Sequence, residues 1–200
     1  AGWDFISFGD DVVCGATCTV TINNQDKTAS ALFQERKTLT LTVTGQGSVT
    51  ASAAPLGEGE TQTCNATKAA GPTVCSFTYY DGQAITFTRS ADTGWDFRSF
   101  SGAISCAGAT CTWTAGTGSS ASALFLKRYT LQLNVTGTGT VTLSPAPVVG
   151  ADTCTATCTR TYDDTDVVTL TAAPGAGWDF ISFGDDVVCG ATCTVTINNQ

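Results

Sequence analysis

Apolar and polar residues alternate one by one through much of this chain. In KTLTLTVTGQGSVTASAAP, residues 37–55, Leu39, Leu41 and Val43 alternate with Thr38, Thr40, Thr42 and Thr44. A period of two puts every apolar side chain on one face, the signature of a half-buried strand. Gly45-Gln46-Gly47 then predicts a hairpin turn, with Val49 in the returning strand. FTYYDGQAITFT, residues 77–88, predicts a second hairpin around Asp81-Gly82. In CTVTI, residues 18–22, Val20 and Ile22 share one face and Thr19 and Thr21 the other. SALF, residues 30–33, predicts a further strand, and residues 55–74, with Pro55, Gly57, Gly59 and Gly71-Pro72, a long loop. The pattern predicts an all-β protein of small antiparallel sheets.

These elements recur. AGWDFISFGDDVVCGATCTVTINNQ fills residues 1–25 and, without a change, residues 176–200, an offset of 175. A diverged copy, GWDFRSFSGAISCAGATCTW, spans residues 94–113. RYTLQLNVTGTGTVTLSPAP, residues 128–147, repeats the first hairpin with Gly137 against Gly45, an offset of 92; further on, Trp178 stands against Trp95, an offset of 83. The loop between hairpin and third strand takes up the difference: three residues separate Cys154 from Cys158 where ten separate Cys64 from Cys75. Loops absorb such changes and paired strands do not. The expected organisation is the C-terminal part of a repeat unit over 1–33, a complete unit over 34–125, and a unit lacking its final strand over 126–200. A window cut from a longer tandem array explains the identical ends. Each terminal unit is then completed by a further copy, covalently continuous or docked end to end. Continuity is favoured, because a docked neighbour's residues 1–25 would compete with residues 176–200.

Composition narrows the class. Thr, Ser, Ala, Gly and Val dominate, as in sheets. Charged residues make up 13% of the chain, the net charge is −8 and the pI is about 4.2. Nine scattered basic residues make a poor partner for nucleic acid, which needs clustered Lys and Arg. No run of 18 apolar residues exists to insert in a membrane, and no signal peptide is visible. The ten cysteines fall into close pairs: Cys14/Cys18, Cys64/Cys75, Cys106/Cys111, Cys154/Cys158 and Cys189/Cys193. Metal is the competing explanation, but the chain has neither His nor a CxxC knuckle. Local structural disulfides, and hence an extracellular or cell-surface location, are expected.

TLTLTVTGQGSVT, a cysteine-flanked loop, ITFT, an aromatic segment ending in F-x-x-F-x-G or a near variant, C-x-x-x-C-TVTI and S-A-L-F follow one another in this order. The order resembles the divergent internalin B-repeat family of bacterial cell-surface repeats. The chain keeps VVTLTAAPGAGWDF, Gly184 and CTVTI, has Phe183 where the family usually has Trp, and carries an extra aromatic at Trp178. The resemblance implies a small β-grasp-like sheet and a spacer role. With the patterning it gives tandem disulfide-stapled domains, β-grasp-like or sandwich-like, forming an extended rod.

Several residues invite a functional reading. The aromatic triads Trp3/Phe5/Phe8, Trp95/Phe97/Phe100 and Trp178/Phe180/Phe183 suit the core or the seam between repeats; a sugar platform and an electron-hopping path are the alternatives. The carboxylates Asp10/Asp11, Asp185/Asp186 and Asp163/Asp164/Asp166 have the oxygens for Ca²⁺ but no EF-hand spacing, so solvated turns are favoured and no cofactor is expected. Asn65 opens a glycosylation sequon in a predicted loop, and Asn134 one in a predicted strand. Lys27, Lys37, Lys68 and Lys127 are candidates for isopeptide bonds, which the disulfides make unnecessary. No acid/base or nucleophile constellation is present, and a chain without His has no Ser/His or Cys/His pair. The chain reads as a non-enzymatic structural repeat of an extracellular bacterial filament, fibre or adhesin stalk. Its partners are further copies of itself. The alternative is a glycan- or receptor-binding module of a surface adhesin.

Overall fold

The computed structural model describes residues 2–67, 71–184, 186–189 and 193–198. They form an all-β protein of small antiparallel sheets, with no helix among the described residues. The chain divides into two compact units. One comprises Ala1–Thr44, Ser48–Ser90 and Ser99–Ala123, the other Gly45–Gly47, Ala91–Arg98 and Leu124–Gln200.

In the first unit the long strand Ala29–Thr44 serves two partners. Its first half pairs with strand Trp3–Asp10, from Trp3 opposite Glu35 to Asp10 opposite Ala29, with a bulge between Phe5 and Ser7. Its second half pairs with strand Thr73–Tyr80, from Arg36 opposite Tyr80 to Val43 opposite Thr73. A five-stranded sheet runs in the order Ser105–Ala107, Thr110–Thr114, Ala84–Ala91, Gly47–Ala51, Thr63–Ala66. Leu39, Leu41 and Val43, predicted to face inward, are fully buried, and so is Val49 from the second sheet. Edge-on ring pairs bring the sheets together: Phe77 on Phe87 at 5.5 Å and Tyr79 on Trp113 at 6.3 Å. The polar ends of the buried rings are satisfied, since Tyr79 Oη donates to the Ala53 carbonyl at 2.6 Å and Trp113 Nε1 to the Gly118 carbonyl at 3.1 Å. Burial pushes the Tyr79 phenol up to about 12.

The loop expected over residues 55–74 contains a strand. Strand Thr63–Ala66 lies within them, and the Glu60 carboxylate accepts from Thr78 N at 2.8 Å and Thr78 Oγ1 at 2.7 Å. Alternation over four residues was too short to announce the strand, which the Cys64–Cys75 bond holds in place.

The second unit repeats the plan. The end of strand Ser120–Leu133 pairs with strand Cys158–Asp163, from Arg128 opposite Asp163 to Leu133 opposite Cys158. A five-stranded sheet runs Thr153–Cys154, Gly139–Ser144, Val167–Pro174, Cys193–Thr196, Val188–Cys189. Leu133, Val141, Leu143, Tyr162, Val168, Leu170, Val195 and Ile197 form its core.

The expected repeat boundaries fall inside strands. Ala29–Thr44 runs unbroken past residue 33, and Ser120–Leu133 past residue 125. ALFQERKTL and ALFLKRYTL contain no Gly or Pro to stop them.

The five disulfides are of two kinds. Cys14–Cys18, Cys106–Cys111 and Cys189–Cys193 join residues directly opposite each other in short hairpins, with Cα atoms 4.0, 4.0 and 4.1 Å apart. Cys64–Cys75 and Cys154–Cys158 each tie a strand of a five-stranded sheet to a strand of the facing sheet, with Cα atoms 5.9 and 6.1 Å apart. The first kind staples a hairpin, and the second clips two sheets together.

Candidate assembly site

The three aromatic segments have nearly the same sequence and three different environments. Residues 3–8 lie in strand Trp3–Asp10, paired with Ala29–Thr44 but covered by no second layer: Trp3 is 60% exposed, Phe5 48% and Phe8 44%. Residues 95–100 lie in strand Trp95–Gly102, paired with Ser120–Leu133, and Trp95, Phe97 and Phe100 are half-buried. Residues 178–183 form no strand; Trp178 is 53% and Phe180 46% exposed, with Phe183 half-buried. Core burial, one of the two expectations for these triads, therefore fails for Trp3, Phe5, Phe8, Trp178 and Phe180. A tilted contact between the two Phe rings is local and is present in both the first and the last segment, with centroids 4.7 Å apart for Phe5 and Phe8 and 4.9 Å for Phe180 and Phe183. Burial needs a partner that the six residues do not carry with them.

The CTVTI segment behaves in the opposite way. At residues 193–197 it pairs with strand Val167–Pro174 and buries Val195 and Ile197, 6% and 5% exposed. Its identical twin at residues 18–22 belongs to no sheet beyond a two-residue hairpin, and Ile22 is 73% exposed. The first copy of the 25-residue segment thus uses its aromatic half, and the last copy its CTVTI half. The middle copy uses both: Trp113 is buried opposite Ile85, and Phe97 packs edge-on against the buried Phe125 at 5.5 Å.

An ion pair accompanies each paired aromatic strand. Arg36 Nε donates to Asp4 Oδ2 at 2.6 Å, and Tyr80 Oη donates to the same oxygen at 3.2 Å. The hydrogen bond from Arg36 holds the Asp4 carboxyl below its ordinary value. In the middle copy Arg128 grips Asp96 through Nε and Nη2. Asp179, the counterpart of both aspartates, has no ion pair among the described residues.

The middle copy also carries a second charge pair. Arg98 stands where the first copy has Ile6, and Asp163 opposes Arg128 where Tyr80 opposes Arg36. Asp163 is buried, with Arg98 Nη1 3.5 Å from Oδ2, and Oδ1 has no hydrogen-bond partner. Burial first, then the neighbouring Asp96 and Asp166, push its carboxyl above the ordinary range against the pull of Arg98. The folded chain therefore favours protonated Asp163. Its contribution to stability is complete below the ordinary value of 3.8 and is lost as pH rises through the raised one. Asp163→Asn should stabilise the chain at neutral pH by roughly 1–3 kcal/mol, because it removes the penalty of desolvating a carboxylate. The gain should vanish in acid. Thermal unfolding of both proteins across pH checks this, and a variant less stable at neutral pH would show that the Arg98 pair outweighs the burial.

The remaining candidates are scattered. Asn65 is exposed on strand Thr63–Ala66 rather than in a loop, and Asn134 is exposed just after strand Ser120–Leu133 rather than within it. Asp11 bonds Thr28 N at 2.9 Å and lies 3.6 Å from Lys27. Lys37 pairs with Glu35 at 2.8 Å, and Lys127 lies over the Tyr129 ring. Asp185 and Lys68 lie outside the described residues. No group of three or more metal-binding side chains occurs among the described residues.

One cavity adjoins the exposed aromatic segment. It has a volume of about 390 Å³ and is bordered by Val135, Val141, Pro174, Trp178, Phe180 and Phe183. The Trp178 ring lies over Gly137, so close that a Cβ there would meet it at 2.9 Å. At the matching turn, Gly45 is covered by the backbone and Cβ of Phe125. Trp178 covers its turn with its ring, whereas Phe125 covers the other with its main chain and Cβ.

The model of the divergent InlB B-repeat domain matches residues 152–200. No curated protein and no solved structure matches the chain. The matched stretch holds Tyr162, Val168, Leu170, Val195 and Ile197 of the core, together with two disulfides. The stretch from 152 to 200 is thus similar to the divergent InlB B-repeat domain, the family that the motifs of the whole chain resemble, and this likeness and the disulfides together suggest a bacterial surface repeat.

Proposed function

We propose that this chain is a structural repeat of an extracellular bacterial filament, fibre or adhesin stalk, with copies following one another head to tail. One observation carries the reading: two identical segments each make half of the contacts that the middle copy makes in full. A tandem array would give every copy both halves. Strands that run unbroken past residues 33 and 125 suit a load-bearing chain. Head-to-tail contacts that do not close on themselves make open filaments. The reading involves no catalysis and no cofactor.

Electron microscopy of the native material tests it. Filaments built from this repeat are expected, and discrete particles would overturn it. A second reading, a glycan-binding module, draws support from the exposed Trp178 and Phe180 beside an open cavity. It predicts oligosaccharide binding that Trp178→Ala abolishes, whereas the filament reading predicts no saturable binding there.

A further inference from the structure

We infer that residues 178–183 are a strand-acceptor site, and that its occupant is the segment Ala29–Arg36 of a second copy of this repeat. The inference rests on the filament reading, since it names the contact at which one copy meets the next.

Four observations converge on that occupant. First, residues 178–183 are identical to residues 3–8, which already pair with this segment, Phe5 opposite Phe33 and Phe8 opposite Ala31. A sequence that forms a strand against this partner is unpaired only where the partner is missing. Second, each paired aromatic strand sets a ring across from its own: Phe33 lies 5.5 Å from Phe5, and Phe125 5.5 Å from Phe97. Phe180 has no such cross-strand ring among the described residues. Third, the segment brings Arg36, whose counterpart pairs with aspartate in both other copies, to the unpaired Asp179. Fourth, an open cavity adjoins Phe180, and at Gly45, the counterpart of Gly137, the turn is covered by the main chain and Cβ of Phe125, the counterpart of Phe33. Main-chain pairing would supply affinity, and the ring and the ion pair would set register.

The occupant is already spoken for within its own copy, because Ala29–Glu35 pairs with Trp3–Asp10. The first copy's residues 178–183 must displace an identical strand, so the exchange is near neutral in pairing. It gains because the incoming strand lies on a chain whose CTVTI half is already docked. A single 25-residue segment then makes both contacts at once.

The test is to append a second copy of Asp26–Arg36 after Gln200, which presents the strand at a high effective concentration. Hydrogen exchange is read at residues 178–183. Trp3→Phe is included in every protein, so that the two identical segments yield distinguishable peptides. Exchange should slow at least tenfold in the extended chain. Phe33→Ser in the appended copy should remove the protection. Asp179→Arg should weaken it, and Arg36→Asp in the appended copy should restore it. Unchanged exchange in the extended chain, or protection indifferent to these substitutions, overturns the inference. The filament reading stands or falls separately. Native filaments with unprotected 178–183 sink only the strand acceptor, and a protected extended chain without native filaments sinks only the filament.

Discussion

Ile197→Ala should lower the stability of the chain by roughly 2–5 kcal/mol, while Ile22→Ala should change it by less than about 0.5 kcal/mol. The residues, their neighbours and the substitution are the same, and only the surroundings differ. Ile197 is 5% exposed in a core with Val168, Leu170 and Val195, so truncation leaves a cavity. Ile22 is 73% exposed, so truncation opens no cavity. Calorimetric unfolding of both variants measures the difference, and it should be followed for each transition, because a chain of two compact units need not unfold in one step. Equal losses would mean that residues 18–22 are buried after all.

The disulfides should divide in the same way. Replacing Cys64 and Cys75 together by Ala is expected to cost about 3 kcal/mol, the loop-entropy value for a loop of this length, or more if the void at Cys64 persists. That bond clips two sheets across a core in which Cys64 is fully buried. Replacing Cys14 and Cys18 should leave the main transition within about 0.5 kcal/mol, because the bond staples an exposed hairpin whose opening is not coupled to any core. Unfolding midpoints of the two double variants test this. Similar losses would show that residues 11–28 unfold together with the sheets.

The site was legible in a different sense from the fold. Repetition drew attention to residues 1–25 and 176–200, and chemistry picked out their Trp and Phe residues. Alternation alone could not say which of those residues are covered, because a strand's exposed face and a seam awaiting a partner have the same apolar pattern. Asp163, expected in a solvated turn, is buried instead, and its burial was hidden for a related reason. In sequence it lies in an ordinary acidic turn, Asp163-Asp164, and the Arg98 and Asp96 that act on its charge lie more than sixty positions earlier. The only signal was paired change: Ile6 gives way to Arg98 in the copy where Tyr80 gives way to Asp163.

What the amino-acid order determined by itself was local. A two-residue period in Leu39, Leu41 and Val43 sets which face is buried, Gly45 and Gly82 provide left-handed turns, and each cysteine bonds its neighbour in sequence. These follow from side-chain spacing and backbone sterics within a few residues. Tertiary structure decided the rest: whether WDFISF is a strand or an irregular segment, whether Ile22 or Ile197 is buried, and whether ALFQERKTL stops at a boundary or runs through it. Main-chain pairing and apolar burial are satisfied only by a partner from elsewhere in the chain. Where Ala29–Thr44 supplies that partner the first copy is a strand, and at 178–183 the same residues are irregular and exposed.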